Sequence, residues 1–426
     1  MIPRSFKKNS HQKFCPICIK LWLPRNWSNY TFDHDTFKEV DFSYYPHPEC
    51  KVHIPTLTQV KTEVRPSPFG PIKMIRYKKV PPGAPYIVLA LVDPPLHMSQ
   101  NSILVGRGVD YDLDLAEKKA IMEGLERYCA CSPPRARLHW GTPTDFQDST
   151  AVIVNDPSPR WWCEANNLTT PNKVMIPLEY VQLESLCTVK NPIVKRDSTG
   201  MAVHPDYEAC LKVGITEVLE RVGLVQFWGK PLSNVWSPHT FPTQTTKLAK
   251  VCEMIGYEII TAITNPIIGF TSCIVILHRN KESGLGPALV CGSGGGWNTS
   301  EAINRGLTEA YAQLLHALEI WPCEPEPNLP RLYDHFLYYL DMERANMLLD
   351  TWCVRNIPKV SIDNIVEIES EVNIKNLHIG TDILTIDRGN VLTDYLGLSA
   401  IQVMVPELPL LEMDTPGSDG LPHPFA

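Results

Sequence analysis

A glycine-containing stretch followed by a glutamate at a fixed distance occurs three times along this chain. Gly106, Gly200 and Gly292 precede Glu123, Glu217 and Glu309 by seventeen residues each (123 − 106, 217 − 200, 309 − 292). The text around those glutamates also repeats, as AIMEGLERYC, GITEVLERVG and GLTEAYAQLL. Such self-similarity marks one structural unit used several times. The repeated unit carries acid, and three glutamates delivered by three equivalent helices can converge on one place. Clustered carboxylates are what a hard cation such as Mg²⁺ requires.

Periodicity supplies the helices. Residues 114–131 are predicted as one, with Ile121, Gly124, Leu125 and Tyr128 on an apolar face and Glu123, Glu126 and Arg127 roughly opposite. The acidic DYDLD run at its start suits a helix N-terminus. In the second copy Leu211, Ile215, Val218, Leu219 and Val222 form the stripe, and Glu217, Glu220 and Arg221 lie across from it. In the third, Ile303, Leu307, Ala310, Leu314 and Leu318 make the stripe, while Arg305, Glu309 and Gln313 form a polar row. Apolar, β-branched runs bounded by turns, among them PYIVLALV, TAVIVN, NKVMIPLEYV, ITAITNPIIGFTSCIVILH and GPALVC, read as strands. Residues 332–353 are predicted as a further amphipathic helix, 357–405 as short strands, and the proline-rich end as an extended tail. The expected fold class is α+β.

A chain of 426 residues allows one large domain or two to three ordinary ones. No window reaches the roughly eighteen uninterrupted apolar residues of a membrane helix, so no membrane partner is expected. The opening MIPRSFKKNSHQKFC has positive charge without an apolar core behind it, which argues against a secretory signal and for a cytoplasmic protein. A net charge of −8 argues against nucleic acid as a partner. Thirteen cysteines in a long chain of this kind read as reduced thiols.

A single E-x-x-E-R on a helix is most often a solvated face. The triplicate offset to a glycine and the position-specific arginine favour a functional reading for the set. Five carboxylates, Glu123, Glu126, Glu217, Glu220 and Glu309, cannot gather unpaired, because mutual repulsion would raise their pKa values and cost stability. Divalent cations bridging to a polyphosphate, with Arg127, Arg221 and Arg305, would supply the missing positive charge. A magnesium-nucleotide site is expected, of a design other than the Walker P-loop, whose GxxxxGK(S/T) is not present. The GSGGGW run from Gly292 to Trp297 reads as a glycine-rich turn into a helix, whose N–H groups could approach phosphate or a peptide strand; the signal is weak. The third copy breaks the pattern, with Ala312 and Gln313 where the others have Glu and Arg.

These motifs resemble those of the YcaO family, ATP-using enzymes that activate the peptide backbone, and the resemblance covers most of the chain. Lys119 to Arg127, KAIMEGLER, is similar to the family's S-x-x-x-E-x-x-E-R, and GRG at 106–108 to its G-K-G. Ser198-Thr-Gly-Met-Ala202 followed by Glu217, Glu220 and Arg221 resembles SNGxA and a second E-x-x-E-R. Arg305 and Glu309 match R-x-x-x-E, and VMVPELPLLEMD with LPHPFA looks like the end of the azoline-forming branch. That branch comprises the cyclodehydratases of thiazole/oxazole-modified peptide and bacteriocin pathways.

The resemblance implies a YcaO-type fold in which β-sheets and three pseudo-repeated helices converge on a nucleotide site. It implies that a Cys, Ser or Thr side chain of a ribosomal precursor adds to the preceding amide, that ATP phosphorylates the amide oxygen, and that an azoline remains. ATP and Mg²⁺ are the implied cofactors. Glu123, Glu126, Glu217, Glu220 and Glu309 become metal ligands, and Lys119, Glu123, Glu126, Arg127, Glu217, Glu220, Arg221 and Arg305 an ATP-binding set. Arg305 and Glu309 take the catalytic places, while Arg127 and Arg221 orient neighbouring carboxylates. The implied partners are the precursor peptide, a leader-binding ThiF-like protein and a downstream dehydrogenase, with a homodimer among the assemblies allowed.

Three domains are expected: a Cys-containing segment at 1–55, a remnant of a ThiF-like partner domain; a YcaO catalytic domain at 56–405; and a proline-rich tail at 406–426. Cys15 and Cys18 resemble half of a zinc knuckle. Two ligands fall short of the four that structural zinc takes, so zinc is not expected. Lys119 stands where the family commonly has Ser, Val213 where Asn is frequent, and Ala426 where the tail would end in proline. These departures keep a catalytically weakened adaptor as an alternative, beside peptide thioamidation by the same ATP activation. His423 is read as solvated.

Overall fold

Two stretches of the chain follow one plan, three antiparallel strands and then a long helix. A computed structural model describes residues 64–424, apart from 184–197, 230–234, 280–285, 362–381, 409–420 and shorter gaps. In the first stretch β1 (Ile72–Tyr77), β2 (Tyr86–Val92) and β3 (Leu104–Asp110) pair in that order, and α1 (Leu113–Cys131) follows. Next come β4 (Leu138–Gly141), β5 (Arg160–Asn167), β6 (Lys173–Pro177) and β7 (Met201–His204), then α2 (Tyr207–Gly229), β8 (Ser237–Pro238) and α3 (Thr243–Met254). The second stretch is β9 (Tyr257–Thr264), β10 (Thr271–Arg279) and β11 (Leu289–Gly296), with α4 (Thr299–Ile320). After it come α5 (Leu332–Tyr338), α6 (Met342–Thr351), β12 (Lys359–Val360), β13 (Leu384–Asp387), α7 (Val391–Leu396) and β14 (Ser399–Met404).

In both stretches the helix lies on its last strand with backbone against backbone. A Cβ on Gly108 would come 1.8 Å from the Ala116 carbonyl oxygen, and one on Gly294 would come 2.3 Å from that of Ala302. Gly106 meets Ala120 and Gly124 in the same way, as Gly292 meets Gly306 and Ala310. One spacing of 186 residues relates these contacts (292 − 106, 294 − 108, 302 − 116). The GSGGG run is therefore strand, contrary to the turn expected: all of β11 is buried, and its glycines serve the approach of α4.

Sheets and helices alternate through the molecule. One core joins α1 to Val88 and Ala90 of β2 on one side and to Met201 and Val203 of β7 on the other. A second joins Leu307 and Leu314 of α4 to Val275 and Val290 of its own sheet and to Ile87 and Val109 of the first. The helix α2 packs through Leu211, Val218 and Leu219 on Ala202 and Val403, and through Leu224 and Phe227 on Ala262 and Ile276. Each of the three long helices thus sits between two sheets.

The third sheet runs β4-β5-β13-β14-β7, with β6 on β5, and all its pairs are antiparallel. Arg388, fully buried after β13, donates from Nη2 to the carbonyls of Cys129, Ala130 and Ser132 at 2.8–2.9 Å. A cation there suits the carbonyl end of α1. Burial nevertheless pushes its pKa down to about 10.

Other expectations change. The helix predicted over 332–353 is two, because the Asp341 side chain accepts from the N–H groups of Glu343 and Arg344 and starts α6 afresh. In the stretch 357–405 the short helix α7 intervenes, capped by Asn390. Around TAVIVN, residues 154–157 are irregular, and WWCEANN provides β5. His423 is buried, not solvated: it lies 4.8 Å from the His335 ring and 6.3 Å from that of Trp228, while the Tyr339 hydroxyl donates to the Pro422 carbonyl. The tail tip folds back onto aromatic surface. The segment 1–55 with Cys15 and Cys18, and Ala426, lie outside the described residues. Among the described residues no helix is long and apolar enough to cross a membrane.

Candidate functional site

Each long helix opens on a capping side chain. Asp112 accepts from the Leu115 N–H at 3.0 Å, Asp206 from that of Ala209 at 2.7 Å and Asn298 from that of Glu301 at 3.0 Å. Eleven residues on stands a glutamate (123 − 112, 217 − 206, 309 − 298), which is about three helical turns. Each of the three accepts a backbone N–H from the strand segment before its helix: Arg107 to Glu123 at 2.9 Å, Gly200 to Glu217 at 3.0 Å, Ser293 to Glu309 at 2.9 Å. β3 and β11 end their sheets, so Glu123 and Glu309 satisfy donors at open edges, while Gly200 stands in the turn that leads into β7. Gly200 has φ +77°, and a Cβ there would lie 2.0 Å from the Val403 carbonyl oxygen; glycine is required on both counts.

One turn further along, Glu126 meets α2. Burial pushes its carboxyl well above the ordinary range, and the charges of Glu217 and Glu123 add to this against the pull of Arg127. The Glu220 carboxyl is raised in the same manner, by burial and then by Glu309, with Arg221, Ser293 and Arg305 opposing. The acids therefore meet where helices adjoin: Glu123, Glu126 and Glu217 between α1 and α2, Glu220 and Glu309 between α2 and α4. All five are half-buried, neither sealed in the core nor out on the surface. On α4 the next position in the pattern is Ala312, a buried methyl.

The expected cations are placed unequally. Arg127 donates from Nε and Nη2 to Glu123 Oε1 at 3.1 and 2.7 Å. Arg221 Nη2 stands 3.9 Å from Glu217 Oε1. Arg305 bonds Glu301, and its charge also reaches Glu220. The Lys119 ammonium is turned to the end of β3, 2.7 Å from Asp110 Oδ2 and 3.3 Å from the Val109 carbonyl, with its side chain 57% exposed. Val213 is 45% exposed, so that departure falls on the surface. Sequence reasoning missed Ser293, whose Oγ lies 2.6 Å from Glu220 Oε1 and 3.2 Å from Glu309 Oε2. The signal available was that it alone interrupts the run of glycines.

Among the described residues no three His, Cys, Asp or Glu side chains form a ready-made metal cage. Mg²⁺ seldom needs one. It commonly takes one or two carboxylates and completes its octahedron with phosphate oxygens and water. Carboxyls crowded at two helix junctions, with those of Glu126 and Glu220 raised by burial and then by their acidic neighbours, are short of positive charge. This donor set fits magnesium carried on a polyphosphate.

Comparison with known proteins agrees with this chemistry. A profile of the YcaO family, described as a cyclodehydratase that binds ATP and Mg²⁺, matches residues 105–409. A heterocyclase solved in complex with substrate and cofactor is 15% identical, with a TM-score of 0.65 over 81% of this chain. This chain spans about half of it, 51%. YcaO from Methanopyrus kandleri, bound with AMPPCP and Mg²⁺, is 16% identical with a TM-score of 0.60, over 79% of this chain and 86% of that one. The E. coli microcin synthetase McbBCD complex with pro-MccB17 bound includes a chain 13% identical with a TM-score of 0.58, over 81% and 89%. At these identities the likeness establishes a shared fold. No curated protein sequence matches the chain.

Proposed function

Because this chain belongs to the YcaO family, we propose that it is an ATP- and Mg²⁺-dependent peptide cyclodehydratase that forms azolines in a ribosomal precursor. In this reading the thiol or hydroxyl of a Cys, Ser or Thr adds to the preceding amide carbon, the amide oxygen departs as phosphate, and the ring is one water lighter than the open chain. ATP, when bound, supplies the phosphoryl group for that oxygen, and Mg²⁺ offsets its charge. The carboxylates of Glu123, Glu126 and Glu217 would hold cation at one helix junction, and those of Glu220 and Glu309 at the other. Arg127 and Arg221 keep Glu123 and Glu217 in place. Arg305, half exposed and within reach of Glu220, would turn its guanidinium to phosphate; Lys119 would first have to leave Asp110.

The observation that carries this reading is the pairing of strained acids across the α1–α2 and α2–α4 junctions. A leader-binding ThiF-like partner, a downstream dehydrogenase and cytoplasmic residence belong to the same proposal. The test is mass spectrometry of a precursor incubated with this chain, its partner and ATP. Loss of one water per ring is expected. An oxygen-to-sulfur gain with sulfide present would make the reaction thioamidation, and an unchanged mass with intact ATP would leave only an adaptor.

A further inference from the structure

The strand β11 delivers just one side chain between Gly292 and Gly296, and it is a hydroxyl. Ser293 is 7% exposed. Its N–H donates to Glu309 Oε2 at 2.9 Å, so the strand edge already fixes that carboxylate. Its Oγ donates to Glu220 Oε1 at 2.6 Å and lies 3.2 Å from Glu309 Oε2. A hydroxyl has one proton, and the shorter contact takes it. One residue thus touches two carboxylates that belong to different helices. Room for this is made by Gly295, where a Cβ would stand 2.8 Å from the Glu220 Cβ. The N–H donors of the other two copies, Arg107 and Gly200, offer their glutamates the backbone but no hydroxyl. The hydroxyl occurs in the copy whose second glutamate has been replaced by Ala312.

We propose that Ser293 is a positioning residue that locks Glu220 of α2 to Glu309 of α4, so that the two present one preset pair of ligands to magnesium-bound nucleotide. This rests on the nucleotide-binding reading given above. Without the hydroxyl, Glu220 loses the contact that fixes its direction, and Glu309 keeps only the strand N–H. The ordering of both acids then falls on the incoming ligand.

The experiment is calorimetric titration of Mg²⁺-ATP into the full chain and its S293A, E220Q and S293A/E220Q variants, with melting temperatures measured without nucleotide. Loss of a hydrogen bond to a charged group predicts roughly tenfold weaker binding for S293A. In the E220Q background the same change is expected to cost little, because the partner is gone. S293T, which keeps the hydroxyl, is expected to bind more tightly than S293A. Wild-type affinity in S293A overturns the assignment, and so does an equal loss with and without Glu220. A loss that merely tracks a fall in the nucleotide-free melting temperature also overturns it, leaving a structural role. If the wild-type chain itself binds no Mg²⁺-ATP, the nucleotide reading fails first and takes this assignment with it.

Discussion

At Glu126 the protein keeps a carboxyl that burial, Glu217 and Glu123 all push well above its ordinary range. The unfolded chain gives up this proton near pH 4.3, roughly, while the folded chain holds it to higher pH. Folding therefore favours the protonated form, and stability without nucleotide falls as pH rises from about 4.3 to the folded pKa, then levels off. Glu220 contributes in the same direction. The E126Q variant is expected to lose its share of this fall, melting above wild type at neutral pH in circular dichroism, yet to bind Mg²⁺-ATP about tenfold or more weakly by calorimetry. Equal melting at neutral pH would show that neither burial nor its acidic neighbours raise this carboxyl. The acids themselves were legible in the sequence, because a constant offset to glycine repeats three times. Ser293 was not, since what matters is a hydroxyl held between two helices that only the folded chain brings together.

Helix α1 follows its predicted span closely, starting at Leu113 against an expected 114 and ending at Cys131. Amphipathic spacing and a capping Asp are local signals, and local signals survive in a sequence. β11 was misread because glycine has poor strand propensity, and its presence there is explained only by the helix lying against it. That explanation makes a prediction. Replacing Gly294 by Ala places a methyl 2.3 Å from the Ala302 carbonyl oxygen and 2.4 Å from the Gly306 nitrogen, both backbone atoms that cannot rotate away. Overpacking of this kind is expected to destabilise the protein by about 1–3 kcal/mol, read as a lower denaturant midpoint. The same substitution at exposed Gly83 meets no atom within 4 Å, but its φ of +82° predicts a smaller, purely conformational cost. An indifferent G294A would mean that strand and helix are not in backbone contact.

For the molecule as a whole, the consequence of three helices each wedged between two sheets is that no acidic helix can shift alone. Ligand bound at the junctions is expected to slow amide hydrogen exchange in α1, α2 and α4 together when Mg²⁺-ATP is added, and removal of the metal by a chelator is expected to reverse it. Protection confined to one helix would separate the junctions into independent sites. Sheet order was the least legible property of the chain. β5 pairs with β13, and β7 with β14, across some two hundred residues, and nothing in a short window of sequence records such pairings. Those long pairings also set a timetable. Gly200, whose N–H steadies Glu217, gives its own carbonyl to the Val403 N–H at 2.8 Å. A ribosome that has just finished α2 at Gly229 must add 169 residues before it begins β14 at Ser399 (398 − 229), an interval of roughly ten to thirty seconds at ordinary elongation rates. Until then the acidic helices α1 and α2 have no closing strand behind them, and the nucleotide grip proposed for them arrives late in translation.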